Sequence, residues 1–163
     1  MNDRYLYRAK RCDTGEWVEG YVFDDGFENG RMFVGGLVIE EYHGTACDDW
    51  NVTGINFYEV EASSICRYTG LKDKNGKLIW ENDIVSFAHS KITSESLAKE
   101  LGFPDFEKEE YKRNYVIEFV NTYCTYGLRF RNKSIHFPCK ASTIWMHDCI
   151  VIGNIFDNPE LLE

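Results

Sequence analysis

Cys139, His147 and Cys149 are the residues whose types and spacing come closest to chemistry in this chain. Thiolate and imidazole are zinc's preferred protein ligands, and on a strand positions 147 and 149 share a face. A closed tetrahedral site needs a fourth ligand, which His136 or Cys124 would have to bring in through the fold. Ordinary buried or half-exposed side chains are the plainer reading, so no metal is assigned. The string His147-Asp148-Cys149 also places imidazole, acid and thiol together, as a thiol nucleophile would need. Adjacent strand positions point to opposite faces, however, so Asp148 could not orient His147 while Cys149 shared its face. No Gly-rich phosphate loop followed by Lys is present either. No catalytic residue and no cofactor are expected.

A second constellation is basic and aromatic. Arg129, Arg131, Lys133 and Lys140 are interleaved with Tyr126, Phe130 and Phe137, the mixture of charge and stacking that single-strand binders use. The formal net charge of −9 and pI near 5.0 oppose it, because affinity for nucleic acid comes mostly from cations at phosphates. A solvated basic face is the simpler account. The carboxylates Asp13, Glu16, Glu19, Asp24, Asp25 and Glu28, with Asp48-Asp49, have the opposite potential. Such a face could imitate nucleic acid and occupy a basic site on another protein, although scattered carboxylates are more often ordinary surface.

The elements that would position these residues are strands. Aromatics make up 15% of the chain, and aromatic and β-branched side chains pack well on a pleated surface. Tyr5–Ala9, Trp17–Phe23, Val52–Val60, Ile84–Phe87, Tyr115–Val120, Thr125–Arg131, Ile135–Phe137 and Cys149–Ile152 all read as strands. Arg31–Glu41 is either a strand pair turning at Gly35-Gly36 or one bulged strand. Gly44–Asn51 reads as irregular. Asn75-Gly76 predicts a type I′ hairpin turn, which needs two positive φ angles. Glu81-Asn82-Asp83 predicts a second reversal, with Asn82 left-handed. Ser94–Gly102 reads as a helix, with Thr93 or Ser94 capping its free amides. The whole of 93–112 then becomes a helical insertion between strands. Asn158 is placed to cap a short terminal helix with Pro159 at its first position.

At 163 residues the chain fits one domain, with subdomains of about 1–66 and 67–163 sharing one core. No apolar run approaches the ~20 residues that cross a bilayer, and the start lacks the apolar stretch of a secretory signal. The expected compartment is therefore the cytoplasm. The six cysteines contain no CxxC pair and should be reduced there. Cys66 and Cys149 read as small buried hydrophobes.

Tyr68-Thr69-Gly70-Leu71-Lys72-Asp73-Lys74-Asn75-Gly76-Lys77, a short apolar run, then Glu81-Asn82-Asp83-Ile84-Val85 resembles the signature of the YopX family of phage and prophage proteins. Tyr7-Arg8-Ala9 with Trp17 is similar to that family's opening. Val151 to Leu162, including Gly153, Asn158 and Pro159, is similar to its close. The family usually has Gly where this chain has Asn82, and both suit a left-handed turn. The resemblance implies a mainly β protein of curved, partly coiled sheets with SH3-like half-barrel character, inside a bacterial host. It implies no agreed activity and carries no catalytic residues. The resulting expectation is a non-catalytic accessory protein that binds an unknown host or phage macromolecule. The aromatic excess also makes a homo-oligomer plausible.

Overall fold

Ten strands, all paired antiparallel where the register is defined, build this protein as a mainly β structure. The computed structural model describes residues 5–28, 30–43, 48–91, 109–130 and 148–163. They are β1 (Tyr7–Lys10), β2 (Trp17–Asp24), β3 (Met32–His43), β4 (Asp48–Val60), β5 (Cys66–Lys72), β6 (Leu78–Trp80), β7 (Asp83–Lys91), β8 (Glu109–Val120), β9 (Thr125–Arg129) and β10 (Ile150–Asn154). Six form a sheet in the order β4-β3-β2-β1-β5-β6, and four form a sheet in the order β10-β7-β8-β9. Among the described residues every helical turn is 3-10, including Ala62–Ser64, Asn121–Tyr123 and Pro159–Leu162.

The chain divides into two compact units, Met1–Gly70 and Leu71–Glu163. In the first, β2 pairs with β3 only from Tyr21↔Gly35 to Asp24↔Met32, whereas β3 and β4 pair from Met32↔Val60 out to His43↔Asp48. Close approach of strands demands glycine twice here. A Cβ on Gly20 would strike the Gly35 carbonyl, and one on Gly35 would strike the Asn56 carbonyl. An Arg11↔Val60 bridge and the Cys12 amide donating to the Glu59 carbonyl (3.0 Å) bring the end of β1 back to the end of β4. The sheet is thus strongly curled around Ala9, Val34 and Val60, with Val18, Val22, Met32 and Ile65 against them. Val18 and Val22 reach this core together because their even spacing keeps them on one face of β2.

In the second unit Val85 and Phe87 of β7 lie beside Tyr115 and Ile117 of β8, again at spacing two. Ile79, Leu128, Cys149 and Val151 complete this cluster, with Leu71, Tyr126 and Phe130 packed against it. Buried apolar side chains therefore gather into two clusters, one in each unit, where the composition had suggested one shared core.

Three local expectations are corrected. Gly76 has φ +83°, but Asn75 is not among the positive-φ residues, so the loop after Asp73 is not type I′. It is a three-residue loop in which the Gly76 amide donates to the Asp73 carbonyl (2.9 Å) and the Asp73 amide to the Lys77 carbonyl (2.8 Å). That pattern suits a type I turn followed by a left-handed glycine. Asp48–Asn51 is the start of β4, and Met32–His43 is one continuous strand. Glu109–Lys112 belongs to β8, paired with Ala88–Lys91 of β7, so the supposed insertion does not extend through 112. Cross-strand pairing outweighed the helix propensity of this Glu- and Lys-rich run. The helix expected at 94–102 lies outside the described residues.

Candidate interaction site

The recognisable residues of the middle and end of the chain are occupied in holding backbone. The Asp73 carboxylate, 4% exposed, accepts from Asn75 (2.8 Å) and Lys77 (2.9 Å) at Oδ1 and from Val151 (3.1 Å) at Oδ2. Burial opposes its charge, yet these N–H groups prevail and hold the carboxyl below its ordinary range. One side chain thereby shapes its own turn and ties it to β10. Nearby, the Lys74 amide donates to the Cys149 carbonyl (3.1 Å). Tyr68 is buried, Gly70 takes φ +83°, and Leu71 packs on the core. Thr69 is half-buried in β5.

Asn82 takes φ +66°. Its amide donates to the Ile117 carbonyl (2.7 Å), and its carbonyl accepts from Ile155 (3.1 Å). Buried Asp83 accepts from the Trp80 amide (2.8 Å). At the end of the chain, a Cβ on Gly153 would sit 2.5 Å from Asn158 Oδ1, so glycine there makes room for that side chain. Asn158 precedes the Pro159–Leu162 turn without a side-chain cap bond. Its neighbour Asn154 organises the turn instead, accepting from Phe156 (2.9 Å) and Asp157 (3.0 Å) and donating to Asp157 Oδ2 (2.8 Å). None of these residues lines a shared cleft.

The chemical candidates fare differently. Cys149 is fully buried, and burial, with Asp73 and Asp148 nearby, pushes its thiol up to about 11. Cys139 and His147 lie outside the described residues, and so do Arg131, Lys133 and Lys140. Among the described residues no three His, Cys, Asp or Glu side chains are grouped to hold a metal ion. Cys66 is also fully buried. Arg129 donates to Glu118 at 2.9 Å across β8 and β9, so its charge is already answered. Phe119 and Tyr126 meet edge to face at 5.3 Å. A groove of about 480 Å³ runs beside β8 and the Pro159–Leu162 turn, with the Arg113 guanidinium over the rings of Tyr111 and Phe130. Among the described residues no helix is long and apolar enough to cross a membrane.

The surface most out of keeping with solvent is one the sequence did not single out. Beyond Gly35, β3 loses β2 and runs on beside β4 alone, a two-stranded ribbon. Leu37 stands opposite Ile55 and Ile39 opposite Val52, the register shifting between Val38 and Ile39. The extra residue, Thr53, returns Val52 to the side of Ile55. Leu37 and Ile39 share that side through their spacing of two. The four are 57, 67, 46 and 48% exposed in the order Leu37, Ile55, Ile39, Val52, a contiguous aliphatic strip. Val38, 42% exposed, faces the opposite way, its Cβ 3.9 Å from where a Cβ on Gly54 would be. The signal was the unbroken apolar triplet Leu37-Val38-Ile39 directly after two glycines. A strand with one wet face should alternate, and this one does not.

With that geometry in hand, the comparisons can be set beside it. A family model described as YopX protein matches residues 6–163. The chain is also similar to the crystal structure of protein EF1440 from Enterococcus faecalis, with 20% identity, a TM-score of 0.50 and 96% of each chain covered. At that identity the likeness concerns the fold alone. No curated protein matches the sequence.

Proposed function

Because the chain belongs to the YopX family, and its signature residues are engaged in turns and backbone ties, we propose that it is a non-catalytic phage or prophage accessory protein. It works in the cytoplasm of a bacterial host by binding another protein, and it needs no cofactor. One observation carries the reading: the exposed strip of Leu37, Ile39, Val52 and Ile55 on a ribbon with no second layer. A two-stranded ribbon alone is marginal in water, and aliphatic side chains grouped on such a surface mark a contact site. A protein partner fits better than nucleic acid. The strip offers no cation to a phosphate, and the chain's charge of −9 repels one. A catalytic thiol is disfavoured at Cys149, where burial keeps the proton on sulfur.

The test is a photo-activated cross-linking residue at position 55, with a control at Glu160, in the bacterium that carries the gene. Covalent protein adducts from position 55, absent from position 160 and lost when Leu37→Asp is added, are expected. Absence of adducts at position 55, or adducts indifferent to Leu37→Asp, would overturn the reading.

A further inference from the structure

We propose that the occupant of the strip is a second copy of this chain, packed ribbon against ribbon across a two-fold axis. This rests on the strip being a protein-contact site. Three observations select a copy over a foreign partner. The strip is uncharged, presenting Leu37, Ile39, Val52 and Ile55. Charges usually specify a foreign partner, and here there are none to do so. Two chains of charge −9 can still meet along it without setting carboxylate on carboxylate at the contact.

The strip is also self-complementary. Its Leu37/Ile55 pair is bulkier than its Ile39/Val52 pair. A two-fold axis lying across the ribbon sets the bulky pair of one copy on the smaller pair of the other. Isologous contacts require this of a single patch. Two such ribbons stacked about 10 Å apart become a small sandwich, supplying the second layer that each lacks.

Area sets the strength. The ribbon from Gly36 to His43 is about 27 Å long at about 3.4 Å per residue, and about 15 Å wide with side chains on either flank. That footprint is roughly 400 Å² per copy, near the small end of specific interfaces. The dimer is therefore reversible, forming as concentration rises. Its salt dependence has a definite sign. Screening the mutual repulsion of two acidic chains strengthens it, whereas contact with a basic partner would weaken.

Sedimentation velocity of the full chain from 1 to 500 µM, at 50 and 500 mM NaCl, tests the proposal. Wild type should pass from monomer to dimer across that range, with the transition moving to at least threefold lower concentration at high salt. Ile55→Lys should remain monomeric throughout, with an unchanged circular dichroism spectrum. Val38→Lys, on the opposite side of the ribbon, should dimerise as wild type does. A monomer at every concentration and salt, or dimerisation lost equally in both variants, overturns the second copy. Continued adducts to other proteins from a cross-linker at position 55 would then preserve the contact-site reading while excluding self-association. Their absence as well would remove both.

Discussion

Removing the Asp73 carboxylate should destabilise the protein more than any substitution on its exposed ribbon. Asp73 accepts three backbone hydrogen bonds, two at Oδ1 from its own turn and one at Oδ2 from buried Val151. A hydrogen bond to a charged acceptor contributes about 1.5–3 kcal/mol, and a buried donor left unmade costs about 1–3 kcal/mol. In Asp73→Ala the turn amides can recover water, but the Val151 amide cannot. The expected loss is about 3–5 kcal/mol, a large share of the roughly 5–15 kcal/mol that keeps a domain folded. Asp73→Asn retains an oxygen for the turn and presents an N–H group to Val151, so about 1–2 kcal/mol is expected. Urea unfolding followed by circular dichroism measures both. The pH dependence has a fixed sign. The folded carboxyl is held below its ordinary value, so its contribution is complete above about pH 4 and declines as pH falls through the folded pKa. The gap between wild type and Asp73→Asn should narrow in that acid window. A gap under about 0.5 kcal/mol for Asp73→Ala, or one that does not change with pH, would refute the assignment of Asp73 as a backbone tie.

Other substitutions separate the remaining contacts. Asn82→Gly should be nearly neutral and Asn82→Ala should cost about 1 kcal/mol, because φ is +66° there; thermal melts of the pair decide. Gly153→Ala should cost about 1–3 kcal/mol by driving a methyl into Asn158, and combining it with Asn158→Ala should recover part of that loss in a double-mutant cycle. Arg129→Ala should change stability by less than about 1 kcal/mol, as a half-exposed pair with Glu118 would. It should leave single-strand retention in a gel shift unaltered. Iodoacetamide at pH 8 should label exposed Cys124 in the native protein and spare Cys149, whose thiol is buried and raised to about 11; peptide mass mapping reads the difference.

The legibility of the fold varied with the range of the forces involved. Alternation exposed the β character of Trp17–Phe23 and Tyr115–Val120 because a half-buried strand must alternate. Asn82 showed its left-handed turn through side-chain chemistry alone. Asn75-Gly76 misled, since Asp73 Oδ1 captures the amides of Asn75 and Lys77 and favours a different loop. Nothing local to residue 73 announces a bond to Val151. For Glu109–Lys112, local helix preference yielded to pairing with a strand some twenty positions earlier. The contact strip was hidden for a related reason. Leu37-Val38-Ile39 looks like a buried strand until the register shows β2 ending its pairing at Gly35. Only the absence of a third strand turns an ordinary apolar run into a surface.

Hydrogen–deuterium exchange tests most directly where the protein makes its contacts. Exchange would be compared at 1 and 500 µM, and in any complex that cross-linking recovers. Slower exchange confined to peptides spanning Gly36–Ile39 and Val52–Asn56, with the Asp73–Lys77 loop and the Pro159–Leu162 turn unchanged, is the predicted outcome. Protection gained around Asp73 or beside the Arg113 groove, while the ribbon exchanges as before, would contradict the account.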